Sequence, residues 1–152
     1  METASLVKVR KIELQDQAAW WTLWKGYCDF YRTDLSPAVT EATWKRIVEP
    51  RSAFVGRIAE LDCDIVGFSL SVIHECSWTI APVCYLEDLY VAPAARGRGV
   101  GLALVEDIVG LARRNSWARV YWHTEADNAS ARRLYDRFCQ ADGFVRYRLG
   151  LD

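Results

Sequence analysis

Hydrophobic positions change their period along the chain, and each change predicts an element. Leu6 to Leu14 sets Val and Ile among lysines in partial alternation, which reads as a strand, and Asp16 is then placed to cap a helix from Gln17. Trp20, Leu23, Trp24, Tyr27, Phe30 and Tyr31 recur at helical spacing and form one aromatic stripe. Ser36-Pro37 starts a second helix with Trp44, Ile47 and Val48 on one side, and Pro50 ends it. From Ala53 the pattern shortens to that of strands: Ala53 to Glu60, a tight turn at Asp62 to Asp64, then Ile65 to Ile73, an antiparallel hairpin. Pro82 to Ala92 is another strand. It runs into Arg96-Gly97-Arg98-Gly99-Val100-Gly101 and then a helix with Leu104, Ile108, Leu111 and Ala112 on its apolar face. Val120 to Thr124 reads as a buried strand, Asn128 opens a helix carrying Ala131, Leu134, Tyr135 and Phe138, and Gly143 to Leu149 returns as a final strand.

That order predicts one α/β (α+β) domain over residues 1–152, a mixed sheet flanked by helices. With 51% apolar residues, 152 residues are enough to build a core without staples. The 19 basic and 20 acidic side chains leave a formal charge of −1, which argues against nucleic acid or an anionic membrane as partner. Small molecules are the expected partners. No apolar run approaches the ~18 residues of a spanning helix, and no signal core precedes Arg10, so a cytoplasmic address is expected.

The five cysteines, Cys28, Cys63, Cys76, Cys84 and Cys139, contain no CxxC pair and are expected to be reduced and mostly interior. His74, Cys76 and Cys84 have spacings that match no zinc knuckle, so no metal is expected.

Three glycines at alternate positions, after a strand and before a helix, allow a ligand to approach the backbone where the helix start offers free N–H groups. Phosphate suits such a place, and Arg96 and Arg98 add charge favourable to a polyanion. A Walker loop is excluded because Gly-Lys-Ser/Thr is missing. The dinucleotide fingerprint fails because position 102 is Leu.

Arg96-x-x-Gly99-x-Gly101, preceded by Leu86-Glu87-Asp88-Leu89-Tyr90-Val91-x-Pro93 and followed by Asn128-x-x-Ala131-x-x-Leu134-Tyr135, resembles the GNAT superfamily of N-acetyltransferases. Within it, Tyr85 to Val91 is similar to the diamine (spermidine/spermine) acetyltransferases. The resemblance implies a largely antiparallel sheet with a splayed strand before the glycine loop, and acetyl-CoA as co-substrate. It assigns the pyrophosphate to Arg96, Gly97, Arg98, Gly99, Val100 and Gly101, the pantetheine arm to Leu89, Tyr90 and Val91, and a further cofactor contact to Asn128. In many members Gly-Phe follows the helix tyrosine closely, whereas here Gly143-Phe144 comes later, after Asp136 to Asp142. Together with seven tryptophans, the resemblance also points to a homodimer.

Amine acetylation has a protonation problem, because an alkylammonium of pKa near 10.4 is neutral in about one molecule in 2,500 at pH 7, a cost of about 4.6 kcal/mol. A base helps, and a phenol can protonate the departing thiolate without an acyl-enzyme. The resemblance makes Tyr135 that acid, a residue helical spacing alone would assign to core. Glu87 and Asp88 interrupt an apolar strand and point to opposite faces unless the strand is bulged. The resemblance to the diamine enzymes selects Glu87 as base, acting through water, and leaves Asp88 as an anchor or a salt-bridge partner. Trp24, Tyr27 and Tyr31, with Asp29 and Asp34 nearby, are expected to help bind a cationic acceptor, although the stripe also reads as core. His74 and His123 are expected to be structural. The expected activity is direct transfer to a primary amine: a polyamine, a diamine or an amino-acid-like molecule. The competing readings are an acetyl-CoA-binding sensor without turnover and a peptide or protein N-acetyltransferase.

Overall fold

The computed structural model describes residues 6–151. Contacts divide the chain into a unit that ends at Trp122 and a second that begins at His123. The first is built on a sheet in the order β1 (Lys8–Lys11), β2 (Phe54–Leu61), β3 (Asp64–His74), β4 (Val83–Val91), β5 (Val120–Tyr121). The first three pairings are antiparallel; β4 and β5 are parallel, joined by a crossover through helix α3 (Val100–Arg114).

Strand alternation gives the sheet two apolar faces. Ile58, Phe68, Leu70 and Tyr90 pack with Trp20, Leu23, Trp24 and Trp44 from α1 (Gln17–Phe30) and α2 (Pro37–Val48). Ala59 and Leu61 pack with Val100 and Leu104 of α3. On the α3 face the Arg57 fork also holds Asp107 through two bonds of 2.8 Å. Gly26 brings α1 close to β4: a Cβ there would lie 2.5 Å from the Tyr90 hydroxyl. At the start of α2, Ser36 accepts the Val39 N–H and Pro37 occupies the first turn, as their order in the sequence led us to expect.

Several expectations need correction. β1 is only four residues long, and a 3-10 turn (Leu14–Asp16) stands before α1. Asp16 does not cap α1 with its side chain, because both oxygens are taken by the Arg10 fork (2.8 and 2.9 Å) and by the Glu13 N–H (2.7 Å). β5 ends at Tyr121, short of Thr124. Only Cys28 and Cys84 are buried, Cys76 is half-buried, and Cys63 and Cys139 are exposed; all five are free thiols.

In the second unit, α4 (Ala129–Tyr135) starts where Asn128 Oδ1 accepts the Ala131 N–H at 3.2 Å. It stops before Phe138, in tightened turns from Arg137 N–H to Leu134 O and from Phe138 N–H to Tyr135 O. The strand expected over Gly143 to Leu149 does not form. Phe144, Tyr147 and Leu149 are 82%, 94% and 84% exposed, and the segment has no neighbouring strand among the described residues to satisfy its backbone. No helix among the described residues is long and apolar enough to cross a membrane.

Candidate active site

The glycine loop is built by two left-handed residues, Gly97 at φ +75° and Gly99 at φ +83°. An L side chain is strained there, and a Cβ on either would meet nothing within 4 Å, so the space beside the backbone is open. Gly99 is the residue before α3, and the Ala103 N–H closes the first turn onto its carbonyl at 3.0 Å. The N–H groups of Val100, Gly101 and Leu102 precede the first intrahelical bond and carry the positive end of the helix dipole. Such a loop has the room and the main-chain donors that an anionic group would need.

The two loop arginines also hold the loop itself. Arg96 donates from Nε to Val91 O at 3.0 Å and lies over the Phe30 and Tyr90 rings at 5.4 and 5.6 Å. Arg98 pairs with Asp62 at 3.2 Å. Arg96 thus ties the loop to the strand before it and to the end of α1. Tyr90 and Val100 are buried, so neither side chain is available to a ligand.

The strand leading into the loop has a free edge. Parallel pairing with β5 covers only Cys84 and Tyr85, so β4 runs on without that neighbour from Leu86. The Ala92 N–H bonds Val66 O at 2.8 Å, which turns the main-chain groups of Tyr90 and Asp88 toward β3 and those of Leu89 and Val91 the other way. An extended ligand can add beside Leu89 and Val91 as a strand would.

Between these parts lies a bulge. Leu70 pairs with Asp88 and Ser71 with Leu86, so Glu87 is an extra residue with no partner on β3. Simple alternation would send the two carboxylates to opposite faces; the bulge removes that alternation. Asp88 sits half-buried on the α1 side, where Oδ1 accepts the Tyr27 hydroxyl. Burial pushes the Asp88 carboxyl up to about 6, the Tyr27 hydrogen bond opposes this, and the nearby Glu87 charge adds to it. Burial and the Asp88 charge together hold the Tyr27 phenol well above its ordinary range. Glu87 is exposed and makes no hydrogen bond or ion pair among the described residues.

The aromatic stripe grades from core to surface. Trp20 stacks on Trp24 at 5.2 Å, Trp24 on Tyr27 at 5.2 Å, and Tyr27 meets Tyr31 at 4.8 Å. Trp24 is a core residue, buried and with its Nε1 donated to Thr40 Oγ1 at 3.2 Å, which corrects its placement among the acceptor contacts. Tyr27 and Tyr31 stand at the outer end of the stack, and Phe30 is 53% exposed.

Sequence reasoning missed a second group on this face. Tyr85 and Tyr121 are register partners whose rings stack at 5.0 Å and 26°. His74 Nε2 lies 2.7 Å from the Tyr121 hydroxyl, and the Arg119 guanidinium sits 5.7 Å from the Tyr121 ring. These residues are distant in sequence, and only strand register brings them together. Asn128 and Tyr135 lie in the second unit, at the start and the end of α4. No cluster of three or more His, Cys, Asp or Glu among the described residues is arranged to hold a metal.

Comparison with known proteins bears on this geometry. The sequence pattern of the acetyltransferase (GNAT) family matches residues 18–139. A D-amino-acid N-acetyltransferase of Saccharomyces cerevisiae is 34% identical over 145 residues, covering 93% of this chain and 89% of that protein. An aminoglycoside acetyltransferase from an uncultured soil metagenomic sample superposes with a TM-score of 0.82 at 18% identity, covering 96% of this chain and 97% of its own. A ribosomal-protein-alanine N-acetyltransferase from Brucella melitensis gives 0.81 at 20% identity, covering 96% of this chain and all (100%) of its own.

Proposed function

The chain belongs to the acetyltransferase (GNAT) family, and from that premise we propose that it acetylates a small-molecule primary amine by direct transfer within a ternary complex. Proteins of this family use acetyl-CoA, whose thioester supplies both the acyl group and a thiolate leaving group. The observation that carries the reading is the Glu87 bulge at the point where β4 leaves β5. It puts an unpaired carboxylate beside a free strand edge that leads into an open glycine loop.

In this reading the amides at Gly97 to Gly101 hold the pyrophosphate, and the Leu89 and Val91 main chain holds the pantetheine arm, which fixes where the acetyl carbonyl lies. Asn128 adds a cofactor contact besides capping α4. Asp88, with one oxygen committed to Tyr27, anchors the acceptor ammonium together with the outer tyrosines, Tyr27 and Tyr31. Glu87 takes the proton through water, and the neutral amine attacks the carbonyl. As the C–S bond breaks, Tyr135 gives its proton to the sulfur, the nitrogen gives up its extra proton through water to restore the Tyr135 phenol, and the proton held at Glu87 returns to solvent. Glu87 is exposed and can exchange with solvent. The likeness of Tyr85 to Val91 to diamine acetyltransferases supports a polyamine or diamine acceptor, and the identity to a D-amino-acid enzyme supports an amino-acid-like one. A cytoplasmic homodimer completes the reading; a monomeric mass in light scattering removes the dimer.

The test is thiol release from acetyl-CoA with a panel of polyamines, amino acids, aminoglycosides and short peptides, running wild type beside Tyr135→Phe. Release that depends on one amine class and falls at least about tenfold in the variant is expected. An isolable acetyl-enzyme with ping-pong kinetics, or full activity in Tyr135→Phe where chemistry limits, overturns the mechanism.

A further inference from the structure

The group that sequence reading missed decides between the acceptor classes. Its centre is Tyr121, held from three sides: its ring stacks on Tyr85, its hydroxyl meets His74 Nε2, and the Arg119 guanidinium lies over its face. Such a ring is a fixed platform. The Arg119 guanidinium also donates to the Cys76 sulfur at 3.5 Å, the Arg119 main-chain oxygen accepts the Cys84 N–H, and the residue forms no ion pair among the described residues. It is exposed, so the guanidinium is oriented by stacking while its donors stay available.

Charges of both signs act on this platform. Burial raises the Tyr121 phenol, Arg119 opposes that shift and Glu87 adds to it, so both charges act on the same ring. Position 119 lies one residue before the Val120–Cys84 pair, and Glu87 lies three residues beyond Cys84 on the parallel strand. At a rise of about 3.3 Å per residue, this puts about 13 Å of backbone between the two levels, a separation that the Glu87 and Arg119 side chains, a bridging water and a small acceptor together can span.

We propose that Arg119, positioned on Tyr121, binds a carboxylate of the acceptor while its amine lies at the Glu87–Asp88 bulge, so that the enzyme selects amino acids over polyamines. A lone guanidinium with an open fork suits a carboxylate, whereas the second ammonium of a polyamine would meet a like charge there. This selection rests on the small-amine reading given above and narrows it.

The test compares kcat/KM for amino acids of both enantiomers with their carboxamides, and with diamines of similar length, in wild type, Arg119→Gln and Arg119→Glu. Wild type is expected to prefer the free acid by about tenfold, as one charge-assisted contact implies. In Arg119→Gln that ratio falls to near one, through KM rather than kcat, and in Arg119→Glu the preference shifts toward the diamine. An unchanged ratio in Arg119→Gln, or turnover of amines with none of any amino acid, overturns the proposal and leaves the small-amine reading standing. Absence of thiol release with every acceptor overturns the small-amine reading instead. Calorimetric titration of the same acids and carboxamides into CoA-saturated wild type and Arg119→Gln then decides the role of Arg119: a binding preference lost in the variant upholds it, and equal binding refutes it.

Discussion

Tyr27 and Asp88 stand 61 positions apart in the chain and meet in a 2.5 Å hydrogen bond, the phenol donating to Oδ1. The bond joins the outer end of the α1 aromatic stack to the strand that carries the acidic bulge. Burial at this position makes Asp88 costly to ionise, and the hydrogen bond opposes that cost only in part. The folded-state value of about 6 lies above that of an unfolded aspartate, so the folded state binds the extra proton and stability falls as pH rises from about 4 to about 6.

Asp88→Asn keeps an acceptor for the Tyr27 hydroxyl and removes the charge. The variant is expected to melt a few degrees above wild type at pH 7, a gain on the order of 1 kcal/mol, and to show no gain below about pH 4, where both side chains are neutral. Scanning calorimetry across that range checks it. Tyr27→Phe removes the hydrogen bond that favours the carboxylate, so an NMR titration of Asp88 should move above about 6.

Glu87→Gln tests the base. Glu87 is exposed, so stability should change by less than about 0.5 kcal/mol. Turnover at pH 7 is expected to fall by about a hundredfold. The deficit should shrink toward pH 10, where the acceptor amine loses its proton unaided, and a deficit constant with pH would remove Glu87 from proton transfer.

Gly99→Ala introduces a Cβ at φ +83°, where no atom of the protein lies within 4 Å. The cost to stability is therefore backbone strain alone, about 1–2 kcal/mol, read from urea unfolding. In the ternary-complex reading the same methyl group stands where the diphosphate approaches, so KM for acetyl-CoA is expected to rise by about tenfold with kcat less affected.

Asp16 supplies a stability test remote from the site. It is 4% exposed and held by the Arg10 fork, which lowers its carboxyl below the ordinary range. Asp16→Asn is expected to cost about 3 kcal/mol at pH 7, because it leaves Arg10 without its main partner. A lowered carboxyl contributes stability above its unfolded value near 4 and loses it as pH falls through the folded value, so the gap between variant and wild type should close in acid. Urea midpoints from pH 3 to 7 measure it.

Local pattern was enough wherever one segment carries its own signal. The glycine loop could be read because left-handed positions demand glycine, and Ser36 and Asn128 could be read as caps because a short polar side chain bonds the N–H three residues on. The stripe of α1 follows from helical spacing alone, and so does the hairpin of β2 and β3 from two alternating runs around Asp62 and Asp64. Local signals of the same kind misled where a partner was needed. Gly143 to Leu149 alternates like a strand, yet without a neighbouring backbone among the described residues it stays irregular and exposed.

What only tertiary structure decided is a matter of register and depth. Whether Glu87 and Asp88 oppose each other or share a side depends on one unpaired residue facing β3, which no count along β4 reveals. The stripe reads as uniform, but the fold buries Trp24, leaves Tyr31 at the surface and stops Tyr27 between them, against a carboxylate from another element. Tyr121, His74 and Arg119 carry no motif; strand pairing, including that of β4 with a two-residue β5, makes them neighbours of each other and of Tyr85. A sequence encodes directly what a few adjacent backbone dihedrals require. Contacts between distant segments exist only once the sheet has paired, so their chemistry is written in the pairing rather than in any one segment.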